Sequence, residues 1–272
     1  MAKKRFLKKV VIVTGSSRGI GSAIAHAFAL EGAKIVLNGR NEERLIEQQS
    51  LIEQKGGTVS YFKGDVSDAD QAQALIDFAI DSYGQIDIIV NNVGISSRGN
   101  LAQMHPSVID QVFRSNVLGT IFPTQAAIPH LRQTKGSIIF ISSLAAIHGL
   151  PGLAPYSASK MALTSFVESL RLEEKTYQVH IGHLQVAMTE IVHNKEVVGA
   201  DGKKQFLAPR EKGKVLTMDQ VAADCLNLVF QRKHRITQTF MGKMNRILNS
   251  ISPLLVEFIL SKNLHKFEEN SK

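Results

Sequence analysis

Tyr156 and Lys160 stand four residues apart, the spacing that puts two side chains one turn apart on the same face of a helix. A phenol beside an ammonium gives up its proton more readily than a free phenol, because the cation favours the phenolate. Reducing a ketone or oxidising an alcohol needs such a group. Ser143 precedes the tyrosine by thirteen residues and closes an apolar run, Gly136-Ser-Ile-Ile-Phe-Ile-Ser142, that reads as a buried strand. The pair alone is weak evidence: with four tyrosines in the chain, about 0.3 Tyr-x-x-x-Lys matches arise by chance. The chemistry therefore depends on whether the chain also holds a hydride-carrying cofactor.

Thr14-Gly-Ser-Ser-Arg-Gly-Ile-Gly21 supplies a candidate. Its T-G-x-x-x-G-x-G pattern lies between a β-branched run, Val10–Val13, and a helical pattern through Ile24, Ala25 and Phe28. Glycines there let the backbone turn tightly and approach a pyrophosphate, which the helix N-terminus attracts. The plainer alternative is an ordinary glycine-rich turn. Cofactor choice is read about 20 residues further on, where an acid would bind the ribose 2′-hydroxyl of NAD. The chain has Asn38-Gly39-Arg40-Asn41 instead, and Arg18 lies inside the turn itself. Two guanidiniums suit a 2′-phosphate, so NADP(H) is expected over NAD(H); the competing possibility is that both arginines are surface charges.

The elements that would position these groups alternate. Strands are expected at 10–13, 34–37, 58–62, 86–90, 136–142, 179–184 and 236–240, and helices at 41–55, 68–82, 106–132, through Tyr156 to 174, and at 218–230. Such alternation means βαβ units and a mostly parallel sheet with helices on both faces, where ligands bind beyond the carboxyl ends of the strands. The motif residues sit at those ends. No internal boundary is visible, so residues 1–272 are expected to form a single domain. Residues 190–215, polar and without clear period, are expected to be a substrate lid. Ser252-Pro253 is a good helix start, and Ile251, Leu254, Leu255, Phe258 and Ile259 then line one face of an amphipathic extension spanning 241–272.

The bulk properties narrow the field. The chain of 272 residues carries a net charge of +8, dispersed in clusters, with only 6% aromatics; a solvated surface or anionic small molecules fit this better than nucleic acid. Its one cysteine, Cys225, excludes a disulfide framework and fits a reducing compartment, hence a cytoplasmic protein. No run approaches the ~20 apolar residues of a membrane span. His180, His183 and His193 lack ligand-spaced partners, so no metal is expected. His148, between Ser143 and Tyr156, is a candidate to face substrate.

Together the glycine turn, Asp65-Val66, Asn91-Asn92-Val93-Gly94, Asn116, Ser143 and Tyr156-x-x-x-Lys160 resemble the short-chain dehydrogenase/reductase family in order and spacing, over about residues 8–190. The resemblance implies a Rossmann-type, doubly wound α/β fold of about seven strands and carbonyl–alcohol oxidoreduction. It implies that Gly15, Ser17, Arg18, Gly19, Ile20 and Gly21 contact the pyrophosphate and ribose, and that Arg40 meets the 2′-phosphate. Asp65 and Val66 would meet the adenine, and Asn92, Val93 and Gly94 would wall the ribose. Tyr156 would be the proton donor and Lys160 its partner, also holding the nicotinamide ribose. Ser143 would orient the substrate oxygen, and Asn116 would position helix and water for a proton relay.

The chain departs from the family pattern in places. Val93 replaces an alanine. Leu184-Gln185-Val-Ala-Met-Thr189 stands where the family has Pro-Gly-x-x-x-Thr; Thr189 remains to meet the carboxamide, but the rigid turn beside the nicotinamide is lost. The tail replaces the usual glycine-rich end. It is expected to pack on the protein's own substrate side or on a partner in a homodimer or higher homo-oligomer, or to make a peripheral membrane contact with its lysines at the headgroups. Tail and the apolar segment 144–155 point to a hydrophobic or lipid-like small-molecule carbonyl or alcohol. Two other functions compete: a dinucleotide-binding sensor or scaffold without turnover, and a sugar-nucleotide epimerase or dehydratase. A complete Asn-Ser-Tyr-Lys set argues against the first. The glycine motif and the lack of a large C-terminal substrate domain argue against the second.

Overall fold

In a computed structural model, residues 4–190, 195–207 and 215–262 are described. The remainder of the expected lid (191–194 and 208–214, with His193) and of the tail (263–272, with Lys266) lies outside them.

β1 (Val10–Val13) is buried at every position, as a β-branched run in the middle of a parallel sheet must be. The chain turns at Gly15 into α1 (Gly19–Leu30), and β2 (Lys34–Gly39) returns beside β1. α2 (Glu42–Glu53) starts where the Asn41 side chain accepts from the Arg44 N–H, an N-cap worth about 1 kcal/mol. β3 (Thr58–Lys63) and α3 (Ala69–Tyr83) follow. α3 is capped by Asp68 at its start and stopped by Gly84 at φ 78°, a left-handed turn that costs glycine nothing. β4 (Ile88–Asn91) then runs beside β1.

The expected single helix over 106–132 is two. α4 (Pro106–Phe113) and α5 (Gly119–Thr134) are separated by a π-helical turn over Arg114–Leu118. Such turns insert one residue and re-aim a side chain; here the residue at the centre is Asn116. β5 (Ser137–Ser143) leads through a short 3₁₀ turn (Leu144–Ala146) to α6 (Ala154–Glu173). Arg132 at the end of α5 binds Glu174 just past α6 at 2.7 Å, tying the helix that follows Asn116 to the one that carries Tyr156.

β6 (His180–Val186) is longer than its apolar pattern suggested. β7 (Lys195–Val198) and β8 (Lys204–Leu207) make an antiparallel hairpin within the segment expected to be irregular. α7 (Met218–Phe230) opens on a capping box of Thr217 and Gln220. The last sheet strand, β9 (Arg235–Thr237), is shorter than expected because Thr239 caps a new helix, α8 (Phe240–Ile251), in which Phe240 is the first residue. α9 (Pro253–Ser261) follows.

Among the described residues the main sheet has seven strands in the order β3-β2-β1-β4-β5-β6-β9, all parallel. One core packs α1, α2 and α7 on one face, through Phe28, Leu45 and Val221; the other packs α3, α5 and α6, through Leu75, Leu131 and Val167. This is a Rossmann-type doubly wound fold. The order reverses between β1 and β4, and the crevice beyond their carboxyl ends is the natural ligand site. No described helix is long and apolar enough to cross a membrane.

Candidate active site

The glycine turn is held in place by Asn92 at the end of β4. The Asn92 side-chain amide donates to Thr14 O at 3.1 Å and Gly15 O at 3.0 Å, while Thr14 Oγ1 accepts the Asn92 N–H at 3.0 Å. A Cβ on Gly21 would collide with Gly15 O and the Asn92 amide, so only glycine lets the helix start this close to the strand. Gly15 and Gly19 have φ 62° and 64°, and nothing lies within 4 Å of where a Gly19 Cβ would be. The N-terminus of α1 has no side-chain cap and no acid in its first turn, whereas α2, α3 and α7 are each capped by a side chain. An open, uncapped helix start is a place for an anion, and the residues present fit a dinucleotide pyrophosphate.

Ser17 lies 3.3 Å from where a Gly39 Cβ would be, so Arg18 and Arg40 flank one corner. Both have carboxylate partners: Arg18 Nη2 with Glu196 Oε2 at 3.2 Å, and Arg40 Nη1 with Asp65 Oδ2 at 3.4 Å. Burial works against the ionised Asp65, but hydrogen bonds from Ser67 and the charge of Arg40 outweigh it and hold the carboxyl below its usual range. Asn38, where an acid would signal NAD, is fully buried and donates to Phe62 O and Gly64 O, tying β2 to β3. Ile20 and Val93 are half-buried against the cores. Val66 is buried in the core, which leaves its backbone, not its side chain, for the adenine contact that the family resemblance implied.

The four chemistry-bearing side chains converge. Tyr156 is in the first turn of α6, where the helix dipole favours negative charge. Burial nevertheless pushes its phenol above the usual range, and a hydrogen bond with Ser143 pulls it back in part. Ser143 caps the 3₁₀ turn by accepting the Ala145 N–H at 3.1 Å, which fixes its side chain at the end of β5. One turn beyond Tyr156, Lys160 is 5% exposed and its Nζ donates to Ile141 O at 3.3 Å. A methyl group on Gly94 would lie 3.1 Å from Asn116 Oδ1 and 3.2 Å from Lys160 Nζ, so Gly94, Asn116 and Lys160 meet at one point.

Asn116 is fully buried and fully used. It accepts the Ile95 N–H at 2.7 Å, donates to Ile95 O at 2.9 Å, and donates to Ser159 Oγ at 2.9 Å. Ser159 in turn donates to Tyr156 O at 2.7 Å. Asn116 is thereby wired to the helix turn that carries the tyrosine. Ser159 had no spacing signal of its own, although it lies inside the Tyr-x-x-x-Lys motif.

Leu184 and Gln185 do not form a turn. They continue β6, with Leu184 paired to Ile141 and Ile236, and Gln185 to Ser142 and Thr237. Gln185 Oε1 accepts from Thr237 Oγ1 at 2.7 Å. The chain beyond is tied down by Gln238, which accepts the Ala187 N–H, and by a bridge between Thr189 and Leu216. Thr189 is buried at 5% exposure. The stiffness a Pro-Gly turn would supply comes here from the sheet.

The hairpin β7–β8 docks on the loop after β4. Val198 exchanges backbone hydrogen bonds with Ser96 and Arg98, and His105 N–H donates to Ala200 O. Its Glu196, the partner of Arg18, is a contributor that sequence reasoning missed; an acid within a polar stretch carries no signal there. His148 bonds Asn249 of α8 at 3.0 Å. His183 is fully buried with both ring nitrogens unpartnered.

Comparison with known proteins agrees with this fold. Residues 9–201 match the family described as short chain dehydrogenase. Over 259 residues the chain is 32% identical to "11-beta-hydroxysteroid dehydrogenase-like 4A" of Arabidopsis thaliana, covering 93% of this chain and 83% of that one. Among solved structures, a metagenomic short-chain oxidoreductase in complex with NADP superposes with a TM-score of 0.70 at 27% identity, over 85% of this chain and 97% of that one. A short-chain dehydrogenase/reductase from Burkholderia phymatum in complex with NAD gives a TM-score of 0.75 at 25% identity, over 85% and 89%.

Proposed function

The chain belongs to the short-chain dehydrogenase/reductase family, and on that premise we propose that it interconverts a ketone or aldehyde and an alcohol, uses NADP(H), and acts on a hydrophobic substrate. The observation that carries this reading is the convergence of Ser143 with Tyr156 and of Lys160 with Asn116. The family binds a nicotinamide dinucleotide; its relatives in complex hold both NADP and NAD, so the preference for NADP(H) rests on Arg18 and Arg40.

Gly15, Ser17, Gly19, Ile20 and Gly21 would hold the pyrophosphate, Arg18 and Arg40 the 2′-phosphate, and Asp65 with the Val66 backbone the adenine. Asn92, Val93, Gly94 and Thr189 would line the ribose and nicotinamide. When bound, the nicotinamide exchanges hydride with the substrate carbon. The chain's own residues handle the proton. As a carbonyl is reduced its oxygen gains charge, which needs donors in hydrogen-bond reach. Ser143 donates one hydrogen bond, and Tyr156 delivers the proton. A phenol pushed up by burial is protonated at neutral pH, which suits the reducing direction. Oxidising the alcohol needs the phenolate instead, and lowering the pKa by two to three units takes about 3–4 kcal/mol. The Lys160 cation and the α6 N-terminus would act in that direction, against burial. Asn116 holds Ile95 and Ser159, and through them the frame of the proton path.

Residues 1–272 are read as one domain in which the hairpin of 195–207 is part of a substrate lid, a reading supported by its contacts with Arg18 and the loop after β4. The deciding experiment for substrate class follows NADPH consumption with carbonyls of increasing chain length. The proposal expects kcat/KM to rise with chain length; a flat series contradicts an apolar pocket, and no turnover with any carbonyl contradicts the activity.

A further inference from the structure

A cationic cleft opens at the edge of the sheet, where β9, α6, α7 and α8 meet, away from the glycine turn and Tyr156. It encloses about 610 Å³, and its walls carry Arg171, Lys233, Arg235, Lys243 and Arg246 against one acid, Asp224. Asp224 is engaged by Gln238 at 2.7 Å, and Glu168 behind the wall pairs with Arg235 at 3.0 Å. Cations still outnumber acids. Nε of Arg171, Arg235 and Arg246 is shielded from solvent without an acceptor. The side chains of Lys233, Lys243 and Arg246 make no hydrogen bond or ion pair among the described residues. Crowding like charges in this way costs free energy, and burial together with the Arg235 charge holds the Arg171 guanidinium below its usual range. An anion seated in the cleft would offset that cost.

α8 joins this cleft to an apolar surface. At about 100° per residue, Phe240, Met244, Ile247 and Ile251 fall within about 60° of one another, Gly242 and Asn249 lie opposite, and Lys243 and Arg246 occupy one flank. The structure matches that wheel. Gly242 packs on Leu144, and Asn249 donates to Ile147 O at 2.8 Å, so this side faces the protein. Phe240 and Ile251 are 74% and 76% exposed. α9 extends the surface with Leu254, Leu255, Phe258 and Ile259 exposed, and Lys262 Nζ lies 4.3 Å from the Phe258 ring centroid. Large apolar surfaces rimmed by polar groups mark interaction sites. An apolar face turned away from the protein body, with cations on its flank, fits the boundary between acyl chains and headgroups. A soluble phosphate would need the cleft but not the apolar face; a second copy of this cationic surface would bring like charges together.

We propose that this cleft binds the phosphate of an anionic membrane lipid while α8 and α9 lay their exposed apolar side chains into the same leaflet. Because α8 rests on the loop that follows Ser143, the docked chain would hold its active-site mouth against the bilayer. That last consequence rests on the proposed function; the docking itself does not.

The test is flotation of the full chain with phosphatidylcholine vesicles and with vesicles also containing phosphatidylglycerol, at low and high salt. The proposal expects at least about tenfold stronger partition onto the anionic vesicles, lost at high salt. Lys243→Glu, at an exposed position, and Arg246→Gln should each weaken it by about fivefold per charge removed, and Phe240→Ser should weaken binding to both vesicles. Salt dependence of the unmodified chain keeps the test valid if a variant misfolds. Equal binding to both vesicles, or none, overturns the proposal. So does a melting temperature raised by inorganic phosphate without vesicle binding, which would assign the cleft to a soluble anion. A dimer dissociated by Phe240→Ser, again without vesicle binding, would assign the face to a second copy.

Discussion

Arg18 in the glycine turn is bound to Glu196 on the β7–β8 hairpin across 3.2 Å, 178 positions further along the chain. The carboxylate stays ionised below its usual range: burial opposes this, but the charge and hydrogen bond of Arg18 outweigh it. The guanidinium proposed to meet a 2′-phosphate is thus engaged by a protein anion at the hairpin, and phosphate and carboxylate would compete for it.

That competition predicts opposite effects from its two members. Arg18→Ala should weaken NADPH binding by about fivefold and NADH binding far less, since an exposed charge contact is worth about 1 kcal/mol. Glu196→Gln should tighten NADPH by a few-fold, by freeing Arg18 and removing a nearby negative charge. Fluorescence titration with both cofactors reads each effect. Weaker NADPH binding in Glu196→Gln would mean that the carboxylate helps to hold the cofactor.

Asn116 predicts a coupled loss. Asn116→Ala removes three hydrogen bonds and leaves the Ile95 N–H and C=O without their partner, a cost of about 2–4 kcal/mol. Urea unfolding should show that loss. Single-turnover rates should fall as well, because Ser159 loses the partner that fixes it beneath Tyr156. A variant as stable as the parent would mean that the π-helical turn, not the side chain, holds this frame.

Two buried histidines predict acid sensitivity. Burial, with the charges of Arg235, Arg171 and Lys160, pushes His183 down to about 3; burial and nearby cations bring His180 to about 4 despite its bond to Lys233 O. Both ordinarily titrate near 6.5, so as pH falls through that value the unfolded chain takes up protons that the folded chain refuses. Stability is full above about pH 6.5 and falls below it, by about 1.4 kcal/mol per pH unit for each histidine, until the folded pKa is reached. Urea midpoints at pH 7, 6 and 5 check this, and His183→Leu should flatten the decline. An unchanged slope in that variant would place the acid sensitivity elsewhere.

The parts legible in the sequence were local. The glycine turn, the strand before Ser143 and the Tyr156–Lys160 turn are short patterns whose geometry follows from backbone sterics and helix period. What was hidden is non-local. Nothing near Glu196 points to Arg18, and nothing in Leu184-Gln185 shows that β9 pairs with it and extends β6 by hydrogen bonds. Asn116 was visible as a residue type, but the π-helical turn that buries it comes from packing between Gly94 and Ser159. The hairpin escaped because its strands are short and half polar, and the cationic cleft because its residues come from four elements that only the fold brings together.

The central claim is that Tyr156 delivers the proton, and steady-state carbonyl reduction by Tyr156→Phe, paired with NADPH titration of the same variant, tests it most directly. The phenylalanine keeps the ring and the packing while removing the hydroxyl. kcat should fall by about 10²–10⁴ with NADPH affinity unchanged within about twofold. Undiminished turnover in that variant, with NADPH bound as before, would contradict the account.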